Sequence, residues 1–73
     1  MSYSYVDSYS PAYHSGKGAA NNLLDNGIDA ARLLTVLAPA LNAAERDHEN
    51  DTYTYLRGMV DTLNDYLAER SDI

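Results

Sequence analysis

Between Leu23 and Leu67 apolar side chains return every three or four positions, and no stretch of the chain sustains an alternating pattern. A step of three or four keeps residues on one face of a helix with 3.6 residues per turn, whereas a half-buried strand needs a step of two. The alternating fragments Tyr3–Tyr5 and Thr52–Tyr55 are too short to found a sheet, and the second merges into a helical pattern. The sequence therefore predicts an all-α fold.

Two helical signals stand out. The first covers residues 19–44, where Leu23, Leu24, Ile28, Ala31, Leu34, Leu37, Ala38 and Leu41 share a face opposite Asn21, Asn22, Asp25, Asp29 and Arg32. Asn21 or Asn22 suits the N-cap, and Asp25 lies near the positive end of the helix dipole. Pro39 lacks the N–H that the helix would use, so the helix either kinks near Thr35 or stops, with Pro39 opening a new one. The second signal covers residues 50–70, with Leu56, Met59, Val60, Leu63 and Leu67 in its stripe and Tyr55 and Tyr66 at the margins. Asn50 or Asp51 caps its start, and Arg70 suits its C-terminal end. Residues 45–51, ERDHEND, contain no apolar side chain and read as the connecting turn. A turn at Ala38-Pro39-Ala40 followed by one helix from Pro39 to Glu69 is the alternative, because Leu41, Glu45, His48, Thr52 and Tyr55 preserve the spacing. Gly27 and Gly58 each cost about 1 kcal/mol relative to alanine inside a helix, and a glycine kept there permits close approach of another backbone.

Seventy-three residues make one small domain, without cysteine for disulfides or thiolate metal sites. Chains of this size bury only about 60–65% of their unfolded surface. Two hairpins pairing into a four-helix bundle cover the flanks that one leaves bare. The sequence thus predicts an antiparallel hairpin over residues 19–73 that forms a homodimer. Leu24, Ile28, Ala31, Leu34, Leu41, Leu56, Met59, Leu63 and Leu67 form the expected dimer core, with Leu34 and Leu63 in its central layer.

Residues 1–18 read as an irregular arm. Tyr3, Tyr5, Tyr9 and Tyr13 stand among serines, with Pro11, Gly16 and Gly18. Tyrosine combines a wide apolar face with a polar tip and only two torsions to freeze, which suits partner contact. A flexible leader and a cover for the chain's own helices are the other readings of this arm.

Charge narrows the partners. The net charge of −6 opposes phosphate backbones and anionic membranes, so neither direct nucleic-acid binding nor membrane attachment is expected. The opening MSYSYVDSYS has neither the basic segment nor the apolar core of a signal peptide, and a cytoplasmic location follows as the expectation. Asp25, Asp29, Asp61, Asp65, Glu69 and Asp72 are able to mimic phosphates toward a basic groove, although charged residues on exposed helix faces ordinarily serve solvation.

Catalytic chemistry finds little footing, and no cofactor is expected. Glu45 and His48 have the Glu-x-x-His spacing of di-iron bundles. A metal there also needs a facing carboxylate, for which only Asp25 and Asp29 offer themselves, and a turn at residues 45–50 puts both groups in water. Ser15 beside His14 lies in the arm with nothing to fix its geometry. Ser15-Gly16-Lys17-Gly18 lacks the spacing and the preceding strand of a phosphate loop.

The stretch LLDNGIDAARLLTVLAPALNAAERD followed by TYLRGMVDTLNDYLAE resembles small helical-hairpin proteins of pseudomonads and their phages. In those, a Leu/Ala-rich helix is followed by a polar turn and a helix of the form Tyr-Leu-x-x-Met-x-x-x-Leu, matched here by Tyr55, Leu56, Met59 and Leu63. The resemblance spans residues 20–70 and implies a non-enzymatic inhibitor or adaptor that docks on a host protein. A metal-binding bundle and a structural or assembly subunit are the competing readings.

Overall fold

The computed structural model describes residues 11–71, which form three helices: α1 (Pro11–Asp25), α2 (Ala30–Arg46) and α3 (Asn50–Ser71). The all-α expectation holds, but the simple hairpin does not. What reads as one apolar stripe over residues 19–44 is divided between two helices, and residues 11–18 of the expected arm are helical.

The break at residues 26–29 is set by Gly27. Its φ of 87° lies in the left-handed region, which glycine enters without steric cost. The Gly27 N–H bonds the Leu24 carbonyl at 3.0 Å and the Ile28 N–H bonds the Leu23 carbonyl at 3.1 Å. These two bonds close a Schellman motif and satisfy carbonyls that the end of α1 leaves without partners. Gly27 is therefore a stop signal, with no other backbone close to it, rather than a contact point inside a helix. Asp29 then caps α2, its Oδ1 accepting from the Ala31 and Arg32 N–H groups at 3.1 and 3.3 Å. Asn21 and Asn22, expected as caps, stand exposed within α1.

The same device ends α2. His48, at φ 60°, donates its N–H to the Glu45 carbonyl at 3.2 Å, and the Glu49 N–H reaches Ala44 at 2.9 Å. The polar stretch ERDHEND is thus the turn it resembles, and the long helix from Pro39 to Glu69 is ruled out. Pro39 neither stops α2 nor opens a new helix: it lies exposed inside a helix that continues to Arg46. Because Thr35 and Pro39 are both exposed, the Thr35 carbonyl, deprived of the N–H that residue 39 would give, is open to hydrogen bonding by solvent.

α3 is the central element, with α1 and α2 both packed along it. Tyr13 lies over Gly58 and Asp61, and Gly16 over Tyr55 and Met59. Leu24 reaches the level of Tyr66 and Glu69. From Gly16, against Tyr55 and Met59, to Leu24, at the level of Tyr66 and Glu69, the neighbours on α3 advance with α1, so the two helices run parallel. Ala20, Ala30, Leu37, Met59 and Leu63 form the buried core, with Leu23, Leu24, Leu33, Leu34, Leu56, Val60, Tyr66 and Leu67 half-buried around it. Leu63 alone among the described large side chains is fully buried, and it is so within the single chain. Leu34 sits at the margin instead, because α2 turns Leu37 inward and leaves Leu34 on its flank.

Candidate functional site

The α1–α3 contact centres on two glycines, each with small residues four positions away: Ala12 and Ala20 about Gly16 on α1, Thr54 and Thr62 about Gly58 on α3. A Cβ at Gly16 would fall on the Tyr55 carbonyl oxygen, and one at Gly58 would fall on the Tyr13 carbonyl oxygen. The two backbones therefore touch, and this contact makes a helix of a segment whose glycines and serine oppose one. The expected role of Gly58 is what the structure shows. Gly16 was concealed by its setting in Ser-Gly-Lys-Gly, although its four-residue distance from Ala12 and Ala20 carries the signal.

Such close approach opens a groove along one side of the seam. It encloses about 260 Å³ and is lined by Lys17, Asn21 and Leu24 from α1 and by Thr62, Asp65, Tyr66 and Glu69 from α3. The Thr62 hydroxyl is buried without a hydrogen-bond partner among the described residues. The Lys17 ammonium leans over the Tyr13 ring, 5.5 Å from its centroid, where the π face attracts it. Arg70 stacks at 5.4 Å on Tyr66. Asp65 and Glu69 stand exposed at the mouth.

Above the groove Tyr13 is locked in place. Its hydroxyl donates to Asp61 Oδ2 at 2.5 Å, while Asp61 Oδ1 meets Arg57 Nε at 3.3 Å. The hydrogen bond to Asp61 and partial burial push the Tyr13 pKa from 10.0 up to about 12; the Asp61 charge adds to this and Arg57 opposes it. A raised pKa means that the folded chain holds this proton more tightly than the unfolded chain does. The bond therefore contributes its full stability below pH 10, and the contribution is lost as pH rises towards 12. Melting followed from pH 8 to about pH 12 is expected to show a fall in stability above pH 10 that Tyr13→Phe reduces. An identical alkaline profile in the variant would show that the bond does not form in solution.

Of the residues expected to touch a partner, Tyr13 is thus engaged within the chain, and Tyr3, Tyr5 and Tyr9 lie outside the described residues. Leu56, Met59, Leu63, Leu67, Leu24, Leu34 and Leu41 are buried or half-buried, while Ala31 is exposed and Ile28 is 39% exposed. The last two lose their expected place because the break at residues 26–29 resets the helical phase. Glu45 lies in the last turn of α2 and His48 in the turn that follows it, both exposed. Asp29 caps the opposite end of α2, roughly 24 Å away at 1.5 Å per residue. Among the described residues no three His, Cys, Asp or Glu side chains converge as a metal site at Glu45 and His48 would require. Likewise no described helix is long and apolar enough to cross a membrane.

No protein-family model matches the chain, and no curated relative or solved structure matches it either.

Proposed function

We propose that the chain is a non-enzymatic protein-binding regulator, an inhibitor or adaptor, which docks as a homodimer on a host protein. The observation that carries this reading is the lining of the α1–α3 groove. Leu24 and Tyr66 offer apolar surface beside the carboxylates of Asp65 and Glu69. Pockets that enclose small molecules run from about 300 to 1,000 Å³ and bury most of the ligand. An open groove of about 260 Å³ instead suits one or two side chains of a polypeptide. Acidic groups at its mouth, on a chain of net charge −6, favour a segment carrying arginine or lysine and speed its encounter.

The test is capture from a bacterial lysate on immobilised chain, with mass spectrometry of what is retained. A protein retained by the native chain and lost, or weakened at least about tenfold, by the double variant Asp65→Lys, Glu69→Lys is the expected result. Both positions are exposed, so the variant should melt like the native chain. Retention that ignores both substitutions, or that an unrelated acidic protein of equal charge reproduces, would refute the groove as the docking site.

A further inference from the structure

Two cations stand beside the α1–α3 groove, and both are held on tyrosine rings instead of on its carboxylates. The half-buried Lys17 leans on Tyr13 at 5.5 Å, and the Arg70 guanidinium lies 5.4 Å from the centroid of Tyr66. Arg70 Nη1 also donates to the Tyr66 hydroxyl at 3.4 Å. Asp65 and Glu69 take part in no ion pair among the described residues, although Asp65 adjoins Tyr66 and Glu69 adjoins Arg70 in the chain. Four residues apart on α3, the two carboxylates are neighbours on the helix surface. The groove thus has an aromatic wall on which a guanidinium already rests, next to a pair of carboxylates without a counter-charge.

We infer that the groove takes an arginine side chain of the partner, and that Arg70 is its internal competitor for the Tyr66 ring. This rests on reading the groove as the place where a partner protein docks, and adds the chemistry of the residue that enters it. Arginine fits the lining better than lysine does. A planar guanidinium stacks on an aromatic face and keeps its N–H donors directed outward in its own plane, so it reaches carboxylates while it stacks. An ammonium is a compact and strongly hydrated point charge, which meets either the ring or a carboxylate well but not both. The apolar stem of the side chain then runs along Leu24, which faces Tyr66 across the groove. The net charge of −6 draws such a cation towards the chain from a distance.

The competition follows from where Arg70 sits. It lies in the last turn of α3, is exposed, and reaches Tyr66 across a single turn of helix. An arriving arginine gains at the ring what Arg70 gives up, and gains Asp65 and Glu69 besides, neither of which Arg70 pairs with. The exchange therefore favours the partner, while the affinity is lowered by the fraction of chains in which Arg70 covers the ring.

The test uses the purified full chain and three short end-capped peptides, alike except for arginine, lysine or uncharged citrulline at one position. Each is titrated to about 10 mM at low salt, with amide and tyrosine ring shifts followed by NMR. The arginine peptide is expected to shift Leu24 and residues 65–70, to bind at least about threefold tighter than the lysine peptide, and to weaken with added salt. The citrulline peptide should not bind. Arg70→Gln should tighten the arginine peptide about two- to fivefold, and the lysine peptide less. Asp65→Asn and Glu69→Gln, at exposed positions, should each weaken the arginine peptide without altering the helical circular dichroism. In Tyr66→Leu the arginine preference and the gain from Arg70→Gln should both vanish. Arginine and lysine peptides that bind alike overturn the inference, as do shifts confined to other surfaces or an arginine affinity that ignores Arg70→Gln. A protein captured through Asp65 and Glu69, with no arginine preference in the peptides, refutes the arginine site and leaves groove docking standing. An arginine peptide bound as expected, with no protein captured, upholds the site and refutes the regulator.

Discussion

Replacing Gly16 or Gly58 with alanine is expected to lower the melting temperature by about 10 °C or more, although alanine is the better helix former by about 1 kcal/mol. The sign follows from what the new methyl meets. At each position it lands on a backbone carbonyl of the facing helix, which has no rotamer to change and moves only if the helices separate. Overpacking of this kind typically costs 1–3 kcal/mol and occasionally more, and separation also loosens the packing of Ala20 and Met59 behind the seam. A deficit of about 2 kcal/mol in a domain of this size corresponds to a drop of roughly 8–16 °C. Gly18 supplies the control, because a Cβ there meets nothing within 4 Å. Gly18→Ala should gain up to about 1 kcal/mol and melt higher. If all three variants shifted in the same direction, the parallel contact between α1 and α3 would be wrong, for only that contact separates Gly16 from Gly18.

Leu63→Ala is expected to abolish most helical circular dichroism at physiological temperature. Truncating a buried leucine costs about 2–5 kcal/mol, and a site packed by three helices has little freedom to collapse. At 0% exposure Leu63 belongs at the upper end of that range. Total stability at 0.05–0.15 kcal/mol per residue comes to roughly 4–11 kcal/mol for a chain of this length, so one substitution removes a large share. Leu34→Ala, on the half-buried margin of α2, should cost about half as much and leave a folded protein. Thermal melts of the two variants decide the point. Equal losses would mean that Leu34 is as enclosed as Leu63, and that α2 is rotated from the orientation described.

The helical class, the polar turn after Arg46 and the central place of Leu63 were legible because each depends on neighbours within a few residues. A stripe of three-to-four spacing carries its own face with it, and a stretch such as ERDHEND has nothing to bury in any fold. Much of the candidate site was not legible. Tyr13 was marked as a contact residue, but its partner Asp61 lies far along the chain and is reached only because α1 runs beside α3. Lys17 faces the groove from a segment whose composition argues for loop, and Asn21 from a position that reads as a helix cap.

Residues 11–18 show most plainly where local reasoning ends. Taken alone, Pro-Ala-Tyr-His-Ser-Gly-Lys-Gly has too little helix propensity to fold, and glycine there weighs against order. Once α3 offers Gly58 and Thr62 at matching height, the missing side chains become the reason the segment docks. At Gly27 the ambiguity was different: the same residue is compatible with a helix interior or a left-handed stop, and apolar residues on both sides kept the spacing of one continuous stripe. The sequence by itself determined that this chain folds as helices and where its polar turn falls. Tertiary structure alone decided that the described residues form three of them, because a contact between two backbones leaves no hydrophobic period in the sequence to read.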